Sequence, residues 1–308
     1  MVKFKVITDS SAGFSKEDAE KYNVIVLPLT LSYDNKDYRD GIDITTDEFY
    51  NMFFENQEKK GLAKLDVFGL FKKDDKGFPK TSMVTPAVFE DTFKEVLKDG
   101  YVPVVLPISK VLSGTFQSAN IAKDEFEDDI IVVEDSATAL GSVKVFIKAL
   151  CSKEYETIDD LRAEIDYLRK HINFYAVPET LAYLSKGGRL GKFSATVGNL
   201  LHFKPIIQLD TEGKLIPIEK PRGLKQAYRR VNEYLDINPI DWSRPVEFGY
   251  STKPENVEQL IEACKPHLTG EYTCAQISPV VGAHVGPGAT AFFYVATNEV
   301  DKDLEKKK

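Results

Sequence analysis

Residues 101–120 read YVPVVLPISKVLSGTFQSAN, an apolar run that gives way to a helix-like segment with Ser113, Gly114 and Thr115 at the joint. The run is nearly continuous in Val, Leu and Ile, as in a strand covered on both faces. A strand that passes directly into a helix is half of a β–α–β crossover, and the flanking sequence repeats the theme. KFKVIT (3–8) leads into the turn DSSAG and a helix that Ser15 can cap, and NVIVLPLTLSY (23–33) and DIIVVED (129–135) are further β-branched runs. Thr45 and Glu48 form a capping box, and Thr85-Pro86 opens another helix. Strands spaced by helices of this length predict right-handed crossovers and a mostly parallel sheet.

The second half follows a different pattern. DDLRAEIDYLRKHI (159–172) is an amphipathic helix with Leu161, Ile165 and Leu168 on one stripe. KPIIQLDTEGKLIPIEK (204–220) reads as two strands around a Thr-Glu-Gly turn. VEFGYST (246–252), YTCAQIS (272–278) and TAFFYVAT (290–297) add three strands, with helices such as NVEQLIEACKPHL (256–268) between them. The expected fold is α/β with two domains. Residues 1–157 form a mostly parallel α/β sheet domain, and residues 158–308 an α+β domain with a mainly antiparallel sheet. The segment Gln57 to Pro79 fits neither pattern, since it interleaves Leu62, Leu65, Val67, Phe68, Leu70 and Phe71 with lysines and aspartates. It reads as an excursion on the outside of the first domain, or as a lid or docking surface.

Composition narrows the function. Three dispersed cysteines, Cys151, Cys264 and Cys274, include no C-x-x-C and fit reduced core thiols rather than a disulfide frame or a metal site. A net charge of −8 argues against a nucleic-acid surface, and the terminal EKKK reads as a solvated tail. The first residues enter a strand pattern at once, and no apolar run approaches the roughly 20 residues that span a bilayer. The expected location is cytoplasmic. There is no G-x-S-x-G, G-x-G-x-x-G, H-E-x-x-H or Walker A motif, and no pair of carboxylates is singled out by spacing.

Four polar clusters remain. Ser113, Gly114 and Thr115 sit where a helix begins, where unpaired amides and a partial positive charge suit an anion; taken alone, a plain helix cap with no ligand is the simpler account of them. Thr81 and Ser82 lie upstream of the Thr85-Pro86 helix start, at the kind of loop where ligands settle in open α/β sheets; a solvated loop accounts for them too. Arg189 follows Gly187 and Gly188, a helix stop, and its planar fork could meet a carboxylate or phosphate; otherwise it is a surface arginine. His284 stands among Gly282, Gly286 and Gly288 in a glycine-rich loop, as a ligand or as a structural histidine. Hydroxyls, one arginine and one histidine can hold an anion, but they make no evident nucleophile–base–orienter set.

Taken in order, the segments ITDSSAG, VIVLPLTL, DGIDITTDEFY, KTSMVTP, ISKVLSGTFQSA, VEDSATALG, YLSKGGRLGK, LLHFKPIIQLDTEGKL and GAHVGPGA resemble the DegV family across nearly the whole chain. That family includes the fatty-acid-binding subunits of bacterial fatty acid kinase. The resemblance implies that a long-chain fatty acid lies between apolar walls, with its carboxylate held at Thr81, Ser82, Ser113, Gly114, Thr115 and His284. Arg189 is implied near the carboxylate on a kinase-facing edge, with Arg222 of EKPRG as a further arginine. No catalytic residue, metal or cofactor is expected beyond the bound acid. The expected partners are the fatty acid, a separate ATP-dependent kinase subunit and, transiently, a membrane. Two departures are visible: Met83, Val84 and Thr85 stand where the family commonly has Gln-Pro-Ser, and the segment Gln57 to Pro79 is longer than expected.

The physics of such a ligand is consistent. Burying about 15 methylenes at roughly 0.8 kcal/mol each gives about 12 kcal/mol gross, against association costs of roughly 4–15 kcal/mol. The tail therefore supplies affinity, and the head group needs partners to offset its desolvation. Two rivals stand beside this reading. One is an enzyme acting on a small phosphorylated or carboxylated metabolite at the same helix N-terminus, and the other is an interaction module docking through residues 57–79.

Overall fold

The structure is a computed structural model of the chain and describes residues 1–59, 78–126, 131–190 and 202–302. The first half contains β1 (Phe4–Asp9), α1 (Lys16–Lys21), β2 (Val24–Leu27), β3 (Thr30–Tyr33), β4 (Lys36–Arg39), α2 (Thr46–Lys59), β5 (Lys80–Ser82), α3 (Pro86–Lys98), β6 (Val102–Val105), α4 (Thr115–Lys123), β7 (Val132–Val133) and α5 (Gly141–Cys151). Strands β2-β1-β6-β7 form a parallel sheet in that order. Two of the expected caps are present: Ser15 Oγ accepts the Asp18 amide, and Thr45 and Glu48 bond reciprocally.

NVIVLPLTLSY is not one strand. Pro28 lacks an N–H, and the chain leaves the parallel sheet at Leu27 and restarts at Thr30 in a second sheet. That sheet is antiparallel, in the order β4-β3-β5. Asp34 and Asn35, both at positive φ (51° and 61°), make its two-residue hairpin turn. Most of the segment Gln57 to Pro79, residues 60–77, lies outside the described residues.

The second half contains α6 (Ile158–His171), β8 (Ile172–Val177), α7 (Ala182–Lys186), β9 (Ile206–Leu209), β10 (Leu215–Glu219), α8 (Leu224–Ile237), β11 (Glu247–Tyr250), α9 (Pro254–Cys264), β12 (Thr273–Gln276), α10 (Pro279–Val285) and β13 (Thr290–Val295). Its six-stranded sheet runs β10-β9-β8-β13-β11-β12, antiparallel except for β11–β12. The α/β class is as expected, with a parallel sheet first and a mainly antiparallel one after it. Strand β8 was not anticipated. It follows α6 without a loop, and all six of its residues are buried, so no alternation marks it.

The large sheet has two apolar faces. Tyr175, Phe292 and Tyr294 pack with Val231 and Leu235 of α8 and Val257 and Leu260 of α9. The opposite face, with Phe174, Ala176, Ala291 and Phe293, joins the core that begins at Val6 and Ile7 of β1. Helix α5 lies between the sheets, with Ser142 through Leu150 all buried. Its Lys144 Nζ meets Glu247 of β11 at 2.7 Å, and its Lys148 Nζ meets Asp18 of α1 at 2.5 Å.

Candidate functional site

The sheets and helices leave a cavity of about 360 Å³ where the first half meets α7 and α10. Five elements bring polar groups to its wall: β5 gives Thr81 and Ser82, the turn before α4 gives Ser113 and Gly114, the segment after α7 gives Arg189, α10 gives His284, and the turn after β1 gives Ser11. Leu29, Ile108, Leu112, Leu140, Leu184 and Val281 are among its apolar walls.

Two placements differ from expectation. Thr81 and Ser82 are on a short antiparallel strand bonded to β3, with Thr81 opposite Leu31, rather than in a loop at the end of a parallel strand. His284 is on helix α10, not in a glycine loop. Pro279 takes one of the first helical positions, where its missing N–H costs nothing, and only Gly286 and Gly288 adopt the left-handed conformation.

Thr81 Oγ1 lies 2.9 Å from His284 Nε2. The other ring nitrogen, Nδ1, is buried without a hydrogen-bond partner among the described residues. It faces Gly187, where a Cβ would stand 2.2 Å from it, so only glycine fits there. Burial, reinforced by the Arg189 cation, lowers the His284 pKa to about 4, and the imidazole is neutral near pH 7. An Nδ1–H would be an orphaned donor, so the proton belongs on Nε2, donating to Thr81 Oγ1. The Thr81 hydroxyl is then free to donate into the cavity.

Ser113 Oγ is 2.9 Å from Thr115 Oγ1 and accepts the Thr115 amide at 3.3 Å. Thr115 is wholly buried and does not line the cavity, so it stands behind Ser113 rather than at the surface. Neither Ser113 nor Thr85 caps its helix through the side-chain geometry expected: Gly114 and Thr85 occupy the N-cap positions without a side-chain bond. Gly114 is covered by Met83, whose sulfur would lie 2.4 Å from any Cβ there.

Arg189 donates Nε to the Leu112 carbonyl at 3.2 Å and Nη1 to the Gly187 carbonyl. No carboxylate of the described residues pairs with it, and desolvation lowers its pKa. A half-buried guanidinium beside a neutral imidazole and two hydroxyls can hold an anion. Arg222, just before α8, does not line the cavity; its guanidinium lies 5.7 Å from the centre of the Phe203 ring.

At its apolar side the cavity shares Leu140, Leu184, Leu215 and Val285 with a smaller void that reaches Ala176, Ile207, Ala289 and Ala291. Ala176 and Ala291 are direct cross-strand partners, as are Phe174 and Phe293 on the same face. The phenylalanine pair fills its part of the interface, and the alanine pair leaves a hollow. Leu140 lines both spaces with φ +60° and ψ −151°, a backbone state side chains rarely adopt. These apolar residues carry no local signal in the sequence, because they differ from ordinary core positions only by facing a space. Among the described residues no group of three or more His, Cys, Asp or Glu could hold a metal, and no helix is long and apolar enough to cross a membrane.

Comparison with known proteins agrees with this architecture. The profile of an uncharacterised protein family, DegV, matches residues 3–68 and 70–297. A DegV domain-containing protein of Clostridium acetobutylicum is 30% identical over 94% of this chain and 97% of its own length. One from Streptococcus pyogenes serotype M1 is 30% identical over 96% and 99%. Among solved structures, a DegV family protein from Thermus thermophilus described by its fatty acid binding superposes with a TM-score of 0.82 at 25% identity, covering 96% of this chain and all of that one. A fatty acid binding DegV family protein from Streptococcus agalactiae gives 0.80 at 27%, over 97% and 100%. A stearic-acid-binding protein from Eubacterium ventriosum gives 0.76 at 26%, over 95% and 98%. With a family profile spanning nearly all of its length, the chain belongs to the DegV family.

Proposed function

We propose that this protein binds a long-chain fatty acid, with the carboxylate at the Thr81–Ser113–His284–Arg189 cluster and the acyl chain along the apolar walls toward Ala176 and Ala291. The observation that carries the reading is that a cluster of Thr81, His284, Ser113 and Arg189 shares one cavity with walls that are largely aliphatic. Its volume of about 360 Å³ falls within the roughly 300–1,000 Å³ of small-molecule sites. The fatty acids named for the Thermus, Streptococcus and Eubacterium structures support the same ligand class. In this reading the cavity lies where a unit of residues 1–157 meets one of residues 158–308.

The head-group chemistry follows from the geometry. Thr81 and Ser113 hydroxyls donate to the carboxylate oxygens, and His284, neutral, holds Thr81 in the donating orientation. Arg189 supplies the positive charge that keeps the acid ionised. An ionised carboxylate oxygen is a nucleophile toward the γ-phosphoryl of ATP, and a cation offsets the charge that develops in such a transfer. The protein's role is then to present the acid to a separate kinase subunit, which carries out the phosphorylation while the tail stays buried here. Arg189 is the residue on the kinase-facing side, and a brief membrane encounter loads or unloads the acid.

Denaturing mass spectrometry of protein purified from a bacterial host tests this directly. A stoichiometric long-chain acid is the expected result. Ligand-free protein that also refuses added oleate and palmitate would overturn it, and turnover of small phosphate esters by the protein alone would favour a metabolite enzyme.

A further inference from the structure

Exposure locates the mouth of the cavity. Among the described residues that line it, only Ser82, Met83 and Gly114 are exposed, and Met83 keeps 50% of its surface open to solvent. The opening therefore lies between the end of β5 and the residue that precedes α4. Thr81 is two positions from one rim and Ser113 adjoins the other, so the way in passes the head-group cluster.

Both rims are fixed. Ser82 pairs with Thr30 in the small sheet, and Val84, 3% exposed, is anchored in the core just ahead of α3. The backbone of Met83 is thus held on either side. Across the opening, the Leu112 and Ser113 amides donate to the Ser109 carbonyl at 2.9 and 3.1 Å, and Arg189 Nε holds the Leu112 carbonyl at 3.2 Å. What spans the gap is the Met83 side chain, whose sulfur rests on Gly114. Gly114 has φ −74° and ψ −2°, which any residue adopts, so room for the thioether accounts for a glycine there. A thioether on three rotatable bonds can change rotamer without moving either rim. Its hold on Gly114 is a few dispersion contacts, each weak.

We propose that Met83 is the gate of the cavity: with its thioether on Gly114 the mouth is shut, and rotation of that one side chain lets the acid in or out. What passes the gate rests on the fatty-acid reading. A gate that closes alike over an empty and a filled cavity scales entry and escape by the same open fraction and leaves affinity unaltered. An ordinary wall contact would instead slow escape alone.

Stopped-flow fluorescence with cis-parinaric acid, a fluorescent fatty acid, tests this in wild type, Met83→Ala, Gly114→Ala and the double variant, each freed of lipid. Entry and escape should both quicken about tenfold in Met83→Ala, with Kd within about twofold of wild type. Gly114→Ala should match it, because the new Cβ takes the place of the sulfur and turns the thioether out. The double variant should be no faster than either single one, since both substitutions remove the same closure. Escape that quickens without entry, or unaltered rates in Met83→Ala, overturns the gate and leaves the fatty-acid reading standing. So does a folded Gly114→Ala that behaves as wild type, or a double variant in which the two effects multiply. If Gly114→Ala does not fold, Met83→Ala decides alone by the same split of rates. No uptake of the probe by any of the proteins overturns the fatty-acid reading, and the gate with it.

Discussion

Thr81 Oγ1 and His284 Nε2, separated by 203 positions in sequence, stand 2.9 Å apart in the cavity wall. One hydroxyl on a three-residue strand and one imidazole on a seven-residue helix therefore join the first half of the chain to the second. Because Nδ1 has no acceptor, the imidazole fixes which way the Thr81 hydroxyl points. A threonine oriented in this way is a better anion donor than one free to rotate, since less freedom is lost on binding.

Thr81→Val and Ser113→Ala should each weaken fatty-acid retention, because each leaves a carboxylate oxygen short of a donor. A loss of about 1–3 kcal/mol per donor is expected. On the proposed function, Arg189→Ala should keep most of the lipid, since the tail would supply the affinity, yet lose phosphate transfer with a kinase subunit. Lipid extracted from each variant and a coupled transfer assay separate the roles. Equal lipid loss in all three would show that the roles are misassigned.

Gly187 is required by space and not by conformation, having an ordinary helical φ of −70°. Gly187→Ala should push the His284 ring out of reach of Thr81 and lower lipid retention, at a stability cost of about 1–3 kcal/mol. The ring resonances of His284 report the displacement. Unchanged His284 shifts in a lipid-loaded variant would contradict it.

Much of this arrangement could be read in the chain. The run ending at Leu106 and the joint at Ser113 identify a strand passing into a helix, and the parallel sheet follows from that repetition. Thr81, Ser113, Arg189 and His284 stand out because polar groups beside glycines and helix ends are conspicuous. Other features were hidden for physical reasons. Strand β8 is buried on both faces and so lacks a period, and the break at Pro28 depends on which sheet takes Thr30. Ala176 and Ala291 look like ordinary core alanines until their pairing is known. Asp9 and Asp40 look like turn residues, because their burial is a property of the assembled walls alone.

The alanine pair gives a prediction about the tail. Ala291→Leu adds three carbons to the floor of the inner void, where Ala176 lies directly opposite. The variant should exchange its bound acids for shorter ones by a few carbons, with the carboxylate contacts intact. Mass spectrometry of the extracted lipid gives the length distribution, and an unaltered distribution would place the tail elsewhere.

The Lys144–Glu247 pair, buried at 2.7 Å, ties α5 to β11. Lys144 also donates to the Gly13 carbonyl at 3.0 Å. Lys144→Met should cost about 3–5 kcal/mol by stranding the glutamate, and Lys144→Met with Glu247→Leu should recover much of that. Urea unfolding of the three proteins checks the sign; a double variant no better than the single would assign the pair a role beyond mutual neutralisation.

His284 and Asp40 should oppose one another in pH. The His284 pKa is lowered from 6.5 to about 4, first by desolvation and then by Arg189, so its contribution to stability is lost as pH falls from about 6.5 through about 4. The Asp40 pKa is raised from 3.8 to about 7, chiefly by desolvation, so its contribution is lost as pH rises from about 4 through about 7. At their limits the two effects are of similar size, about 3 and about 4 kcal/mol, and across the shared window they nearly cancel. Wild type should therefore unfold in urea with little pH dependence from these groups between pH 4.5 and 6.5. His284→Gln should expose the aspartate alone, with stability falling as pH rises, and Asp40→Asn should expose the histidine alone, with stability rising. Profiles that run parallel in the two variants would show that neither group titrates as its surroundings require.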